Sequence, residues 1–141
     1  MQTFFPVVSI EESARILDNK RAWKQCVECS QIITVLETGA KAWSNHPAVL
    51  MWKGYVDGLK YYYNIFWWEC VNNRGVKAKK LQPFEGFLNS ELPPWVGNER
   101  FHASHRSNLL RKDRDYYSKF GWTEPDNLEY VWPSKELVYV S

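Results

Sequence analysis

Between Ile16 and Leu36 the apolar residues recur every three or four positions, and this period constrains the fold more than any other feature of the sequence. Ile16, Leu17, Trp23, Cys26, Val27, Ile33 and Leu36, with the small Ser30, fall close to one helical stripe. Ser9-Ile10-Glu11-Glu12 matches a capping box, where hydroxyl and carboxylate satisfy free amides reciprocally, and Gly39 supplies a stop. Asp18-Asn19 marks a break, so the stretch is either one long helix or a short one followed by a longer one.

A second helix is predicted from Ser44-Asn45-His46-Pro47, where a capping polar residue precedes a proline suited to a first turn. It runs through Val49, Trp52, Tyr55, Val56, Leu59, Tyr62, Phe66, Cys70 and Val71 and ends at Asn72-Asn73-Arg74-Gly75. At roughly 27 residues it is the expected central helix. Gly54 and Gly58 both weaken it, one turn apart, and are expected to admit another backbone closely. Residues 76–97 read as a poorly ordered connection, with Lys77-Ala78-Lys79-Lys80 leading into Pro83, Gly86, Pro93, Pro94 and Gly97. A third helix fits Asn98 to Lys112, a short one follows at Asp113 to Phe120, and the tail from Gly121 should be irregular. There is no internal repeat and no succession of strands. The expected fold is all-α: one compact domain over residues 1–141, with about three main helices and long irregular connections.

Composition narrows the classes. Hydrophobic residues at 45% argue for a globular chain, and a net charge of +2 permits a nucleic-acid partner without demanding one. The 8 Trp, 8 Tyr and 7 Phe either fill the core or, in part, sit at the surface for stacking. Three cysteines cannot complete a disulfide framework. The N-terminus lacks the pattern of a signal peptide, and the apolar window Tyr61–Trp68 is too short to span a bilayer. A soluble cytoplasmic protein with no membrane partner is expected.

Three constellations could carry chemistry. Arg21, Lys24, Glu28 and Gln31 share one helical stripe, which is either a solvated face with an ion pair or a carboxylate held near phosphate-binding cations. Cys26-Val27-Glu28-Cys29 invites a zinc or redox reading, but both cysteines also fit the apolar period, and core packing is the favoured reading. Arg100 to Asn108 is dense in hydrogen-bonding side chains, and segment 98–120 holds six cations against three acids. Its basic residues, interleaved with Tyr116, Tyr117, Phe120 and Trp122, suit phosphate contacts with stacking, or an ordinary amphipathic helix.

Several strings go further. Leu17-Asp18-Asn19-Lys20-Arg21, Lys24-Gln25, Val27-Glu28, Gly39 to Trp43 and Asn45-His46-Pro47 resemble the pyrimidine-dimer DNA glycosylase family, as do Phe101 to Leu110 and Phe120 to Pro125. The resemblance is closer to a bacterial and viral branch than to the phage endonuclease V-like members. It implies a compact all-α fold without metal or cofactor, and a monomer acting on damaged or modified duplex DNA. It also implies a glycosylase and abasic-site lyase that works through its N-terminal α-amine. An α-amine has an ordinary pKa of about 7.7–8.0, so part of it is neutral and nucleophilic at cellular pH.

Carried onto this sequence, the resemblance makes Met1 the nucleophile, because methionine is normally retained before a residue as bulky as Gln2. It makes Glu28 the acid/base or electrostatic stabiliser, with Val27 before it in place of the phage enzyme's arginine-rich setting. Arg21 and Lys24 become phosphate contacts and Gln31 lines the same site. Asn45, His46, His102, Ser104, His105, Arg106 and Asn108 join the DNA-binding set, with Tyr116, Tyr117 and Trp122 for stacking. Two alternatives stand beside this reading: a non-catalytic DNA-binding protein of the same fold, or an enzyme acting on a modified base or nucleotide.

Overall fold

Ser9 starts the first helix of the computed structural model, which describes residues 1–86 and 90–133. Its Oγ accepts from the Glu12 amide at 3.2 Å and opens α1, Ile10–Ile16. Leu17 is extended, and Asp18 then caps α2, Asn19–Thr38, by accepting from the Arg21 amide at 3.4 Å. A short helix followed by a longer one is therefore the outcome. α2 ends where Gly39 adopts φ +69°, a backbone state that glycine reaches without a Cβ clash.

The expected continuous helix from Pro47 to Val71 is broken. His46 caps the four-residue α3, Pro47–Leu50, with its Nδ1 accepting from the Ala48 amide at 3.0 Å. A turn follows in which Gly54 takes φ +84°, incompatible with helix, and α4 spans Val56–Trp68 before a π-helical turn, Glu69–Asn73. Gly58 does admit a backbone: a Cβ there would lie 2.4 Å from the Glu91 carbonyl oxygen. Beyond the π turn, Arg74 donates to the carbonyls of Leu17 (2.6 Å), Ala14 (2.9 Å) and Arg15 (3.1 Å). These bonds satisfy the exposed C-terminal end of α1.

The connection after α4 is irregular but held, not loosely ordered, over its described part. The Tyr63 hydroxyl donates to Gln82 O (2.9 Å), Asn64 exchanges two bonds with Phe84 (2.7 and 2.8 Å), and Trp67 donates to Leu81 O (2.8 Å). Residues 87–89 of the connection, and 134–141 of the expected irregular tail, lie outside the described residues. Asn98 caps α5, Glu99–Lys112; α6, Arg114–Tyr117, and a 3-10 turn, Ser118–Phe120, follow.

No strand occurs among the described residues, and the fold is all-α. α4 packs chiefly on α2, and α1 lies against α4. Rings fill the centre: Phe5 meets Tyr62, Trp95, Phe101 and His102, and Trp52 stands edge-on to Trp95 at 5.0 Å. Cys26, Cys29 and Cys70 are free and buried in this core. A hydrogen bond to Cys70, then burial, pushes the Cys26 thiol up, and burial does the same to Cys29. Among the described residues no cluster of three His, Cys, Asp or Glu could hold a metal, and no helix is long and apolar enough to cross a membrane.

Candidate functional site

Residues 2–5 form no helix, yet Thr3 and Phe5 are 0% exposed and Gln2 and Phe4 only 7%. A buried extended backbone must find hydrogen-bond partners outside a regular ladder, and here side chains of three helices supply them. The Phe4 amide donates to Gln25 Oε1 (2.7 Å) on α2, and the Phe4 carbonyl accepts from the Tyr62 hydroxyl (2.5 Å) on α4. On α5, His105 Nδ1 accepts from the Phe5 amide (2.9 Å), His102 Nδ1 donates to the Phe5 carbonyl (2.7 Å), and Arg106 donates to Pro6 O (2.7 Å). Trp52 Nε1 donates to Thr3 Oγ1 at 3.0 Å. The segment is gripped on every side, and the first residue is delivered to a defined place.

These bonds correct the expectation for α5. His102, Ser104, His105, Arg106 and Asn108 are buried, so they do not face a phosphate backbone. His102 donates from Nδ1 and therefore accepts at Nε2, from the Gly97 amide at 2.9 Å. Burial pushes His105 down to about 3 and lowers His102 as well, so both rings are neutral. Arg106 pairs with Glu99 and, at 2.8 Å, with Glu124. The other side of α5 holds the C-terminal stretch: Ser104 Oγ accepts from the Val131 amide (3.1 Å), and Asn108 donates to Leu128 O (3.1 Å).

The expected stacking rings are likewise engaged internally. Tyr117 is 0% exposed, bonds Asp18 through its hydroxyl, and stacks on Trp122 with centroids 5.7 Å apart. Tyr116 is edge-on to Tyr117 and lies under Lys119 Nζ, 3.8 Å from its centroid. Burial takes Tyr117 out of reach of a ligand, while Tyr116 and Trp122 are half-buried against it.

The N-terminal stripe behaves differently. Met1 and Glu28 line one cleft of about 320 Å³, together with Lys20, Arg21, Lys24, Lys112 and Tyr130. The Glu28 side chain is 14% exposed and lies 4.0 Å from Lys24 Nζ. Arg21 pairs with Asp18 at 3.3 Å. Partial burial, and after it the neighbouring cations Arg21, Arg111 and Lys24, lower the Lys112 ammonium below its ordinary range. Burial pushes Tyr130 up to about 12, so it stays a neutral donor. Lys20, Lys112 and Tyr130 were not among the expected residues. Lys20 stands four positions before Lys24, so the helical period carried a signal for it; Tyr130 had none.

Met1 also lines a second cleft, of about 370 Å³, with Ser30, Gln31, Thr34, Val35 and Trp43. Gln31 thus faces the neighbouring cleft and not the Glu28 cleft. Asn45 is exposed in the turn before α3, while the His46 ring caps α3 and packs between Trp43 and Trp132. Met1 therefore lines both a cation-lined cleft containing a carboxylate and a cleft lined by no charged side chain.

A sequence model of the family described as pyrimidine dimer DNA glycosylase matches residues 1–82, more than half of the chain. The matched stretch carries Met1, Lys20, Arg21, Lys24, Glu28, Gln31 and Trp43. No curated protein and no solved structure matches the chain.

Proposed function

The chain belongs to the pyrimidine dimer DNA glycosylase family, and from that premise we propose that it is a DNA-repair glycosylase and abasic-site lyase working through the α-amine of Met1 on damaged duplex DNA. The observation that carries this reading is the grip on residues 2–6. That segment is buried and bonded next to Met1, which lines both clefts and shares one with Glu28, and a nucleophile held in place avoids much of the entropic cost of meeting its target.

The neutral amine attacks the sugar C1′, and the base departs with the electrons of the glycosidic bond and takes up a proton. Opening of the sugar ring leaves a protonated Schiff base. Loss of a C2′ proton then expels the 3′ phosphate by β-elimination, and water releases the amine. The Glu28 carboxylate stabilises the cationic sugar and carries protons during ring opening. Lys20, Arg21, Lys24 and Lys112 hold the neighbouring phosphates, which position the strand without reading its sequence. Extruding the nucleotide costs a few kcal/mol, least at a damaged pair.

Borohydride present during reaction with an abasic duplex should reduce the Schiff base to a stable adduct that maps to the N-terminal peptide. Glu28→Gln keeps size and helix propensity; it should still bind damaged duplex while base excision falls by about 10² or more. An adduct on a lysine such as Lys24 would move the nucleophile off the N-terminus. Tight binding with no adduct at all would leave a DNA-binding protein without lyase chemistry.

A further inference from the structure

Lys77, Lys79 and Lys80 put three positive charges into four residues, more than the net +2 of the whole chain. All three are exposed, and none pairs with a carboxylate among the described residues. Elsewhere the fold engages many of its cations internally: Lys60 with Glu37, Arg74 with Glu69, Arg106 with Glu99 and Glu124, Arg114 with Asp126. Like charges this close repel, and a segment free to relax would spread them apart. This one is held at both ends. On its N-terminal side the Val76 amide donates to the Cys70 carbonyl at 3.0 Å. On its C-terminal side the Leu81 and Gln82 carbonyls accept from Trp67 Nε1 (2.8 Å) and the Tyr63 hydroxyl (2.9 Å), and the Gln82 amide folds back onto Ala78 O (3.3 Å). The backbone is tied down while the three side chains stay in solvent.

The run also has a fixed relation to the cation-lined cleft. Arg74, just before it, donates to Asn19 Oδ1 at 3.1 Å, and the next residue, Lys20, lines that cleft. Lys77 is three residues beyond Arg74, a span of at most about 10 Å. One turn of duplex is about 34–36 Å long, so run and cleft fall within a single turn. We propose that Lys77, Lys79 and Lys80 form a second DNA-contacting surface, outside the cleft, which holds phosphates of the duplex flanking the attacked nucleotide. This rests on the glycosylase reading above and adds the reach of its partner: intact backbone to one side of the lesion is gripped as well as the lesion itself. Ammonium groups on flexible stems suit the task, because they neutralise phosphates as point charges without reading sequence.

The test separates the flank from the cleft. The triple variant Lys77→Ala/Lys79→Ala/Lys80→Ala changes only exposed side chains, so it should fold. On a long duplex with one central abasic site, hydroxyl-radical footprinting of the wild type should show protection at the site and a second patch on one flank. The triple variant should keep the first patch and lose the second. Its slope of log affinity against log salt should be shallower by up to about 2.7, and Lys77→Arg/Lys79→Arg/Lys80→Arg should restore both slope and flank. Borohydride trapping at saturating protein should stay within about twofold of wild type, because phosphate contacts on the flank touch no reacting atom. A flank and slope unchanged by the triple variant would overturn the surface, and so would loss of both patches together. A wild type that protects both patches yet traps no adduct would sink the lyase reading and keep the surface. A wild type that traps an adduct but protects no flank would keep the lyase and sink the surface.

Discussion

Histidines that hold backbone give acid a specific point of attack. His105 must stay neutral at Nδ1 to accept from the Phe5 amide, and its pKa of about 3 lies below the ordinary 6.5. Between those values the unfolded chain takes up a proton that the folded chain refuses, so this contribution is complete above about pH 6.5 and is lost on acidification. The loss approaches about 1.4 kcal/mol per pH unit, and His102, lowered by burial, acts in the same direction. His105→Asn retains an acceptor but no titration. Denaturant unfolding should find it less stable than wild type at neutral pH and shallower in its decline toward about pH 4.5. Equal acid slopes in the two proteins would remove His105 as the proton-linked group. The string Phe101 to Asn108 was conspicuous as sequence, but its polar residues serve Phe5, Pro6 and Val131 rather than phosphates. Side-chain type alone does not distinguish those partners.

At the scale of elements, glycine separates local preference from packing. In an isolated helix Gly58→Ala would stabilise by about 1 kcal/mol. In α4 the added Cβ meets backbone, the Glu91 oxygen at 2.4 Å, which cannot swing aside like a side chain. Thermal unfolding should therefore show Gly58→Ala destabilised by about 1–3 kcal/mol, and a raised melting temperature would mean that the 90–92 stretch yields freely. The sequence made Gly58 a point of backbone approach, and so it is. It gave no reason to break the helix at Gly54, because hydrophobic period continued through Trp52, Tyr55 and Val56. The break turns Met51 and Trp52 inward, with Trp52 bonded to Thr3 and the Met51 carbonyl to Trp95.

Over the whole molecule, positive charge is focused rather than abundant. A net charge of +2 is modest, yet Lys20, Arg21, Lys24 and Lys112 meet beside Met1 from two helices. Each phosphate contact adds about 0.9 to the slope of log affinity against log salt. On the proposed reading, the double variant Lys24→Ala/Lys112→Ala should weaken duplex binding for all sequences alike and make that slope shallower by up to about 2. An unchanged slope would place the DNA backbone on another face. The basic count in segment 98–120 pointed toward α5, but of its cations Lys112, at its end, is the one that lines this cleft; Arg106 is spent on Glu99 and Glu124.

Sequence alone determined what neighbours along the chain decide: the start of α1 at Ser9, the end of α2 at Gly39, the extent of α5, and an all-α fold. Caps and helical periods act within a few residues, so they are written in short strings. Tertiary structure alone decided which polar residues turn inward and what stands beside Met1. Phe5 and His105 are 100 positions apart, as are Pro6 and Arg106. A bond across that distance is selected by burial, which leaves an extended backbone no water and no ladder to bond with, and nothing local in the chain announces it.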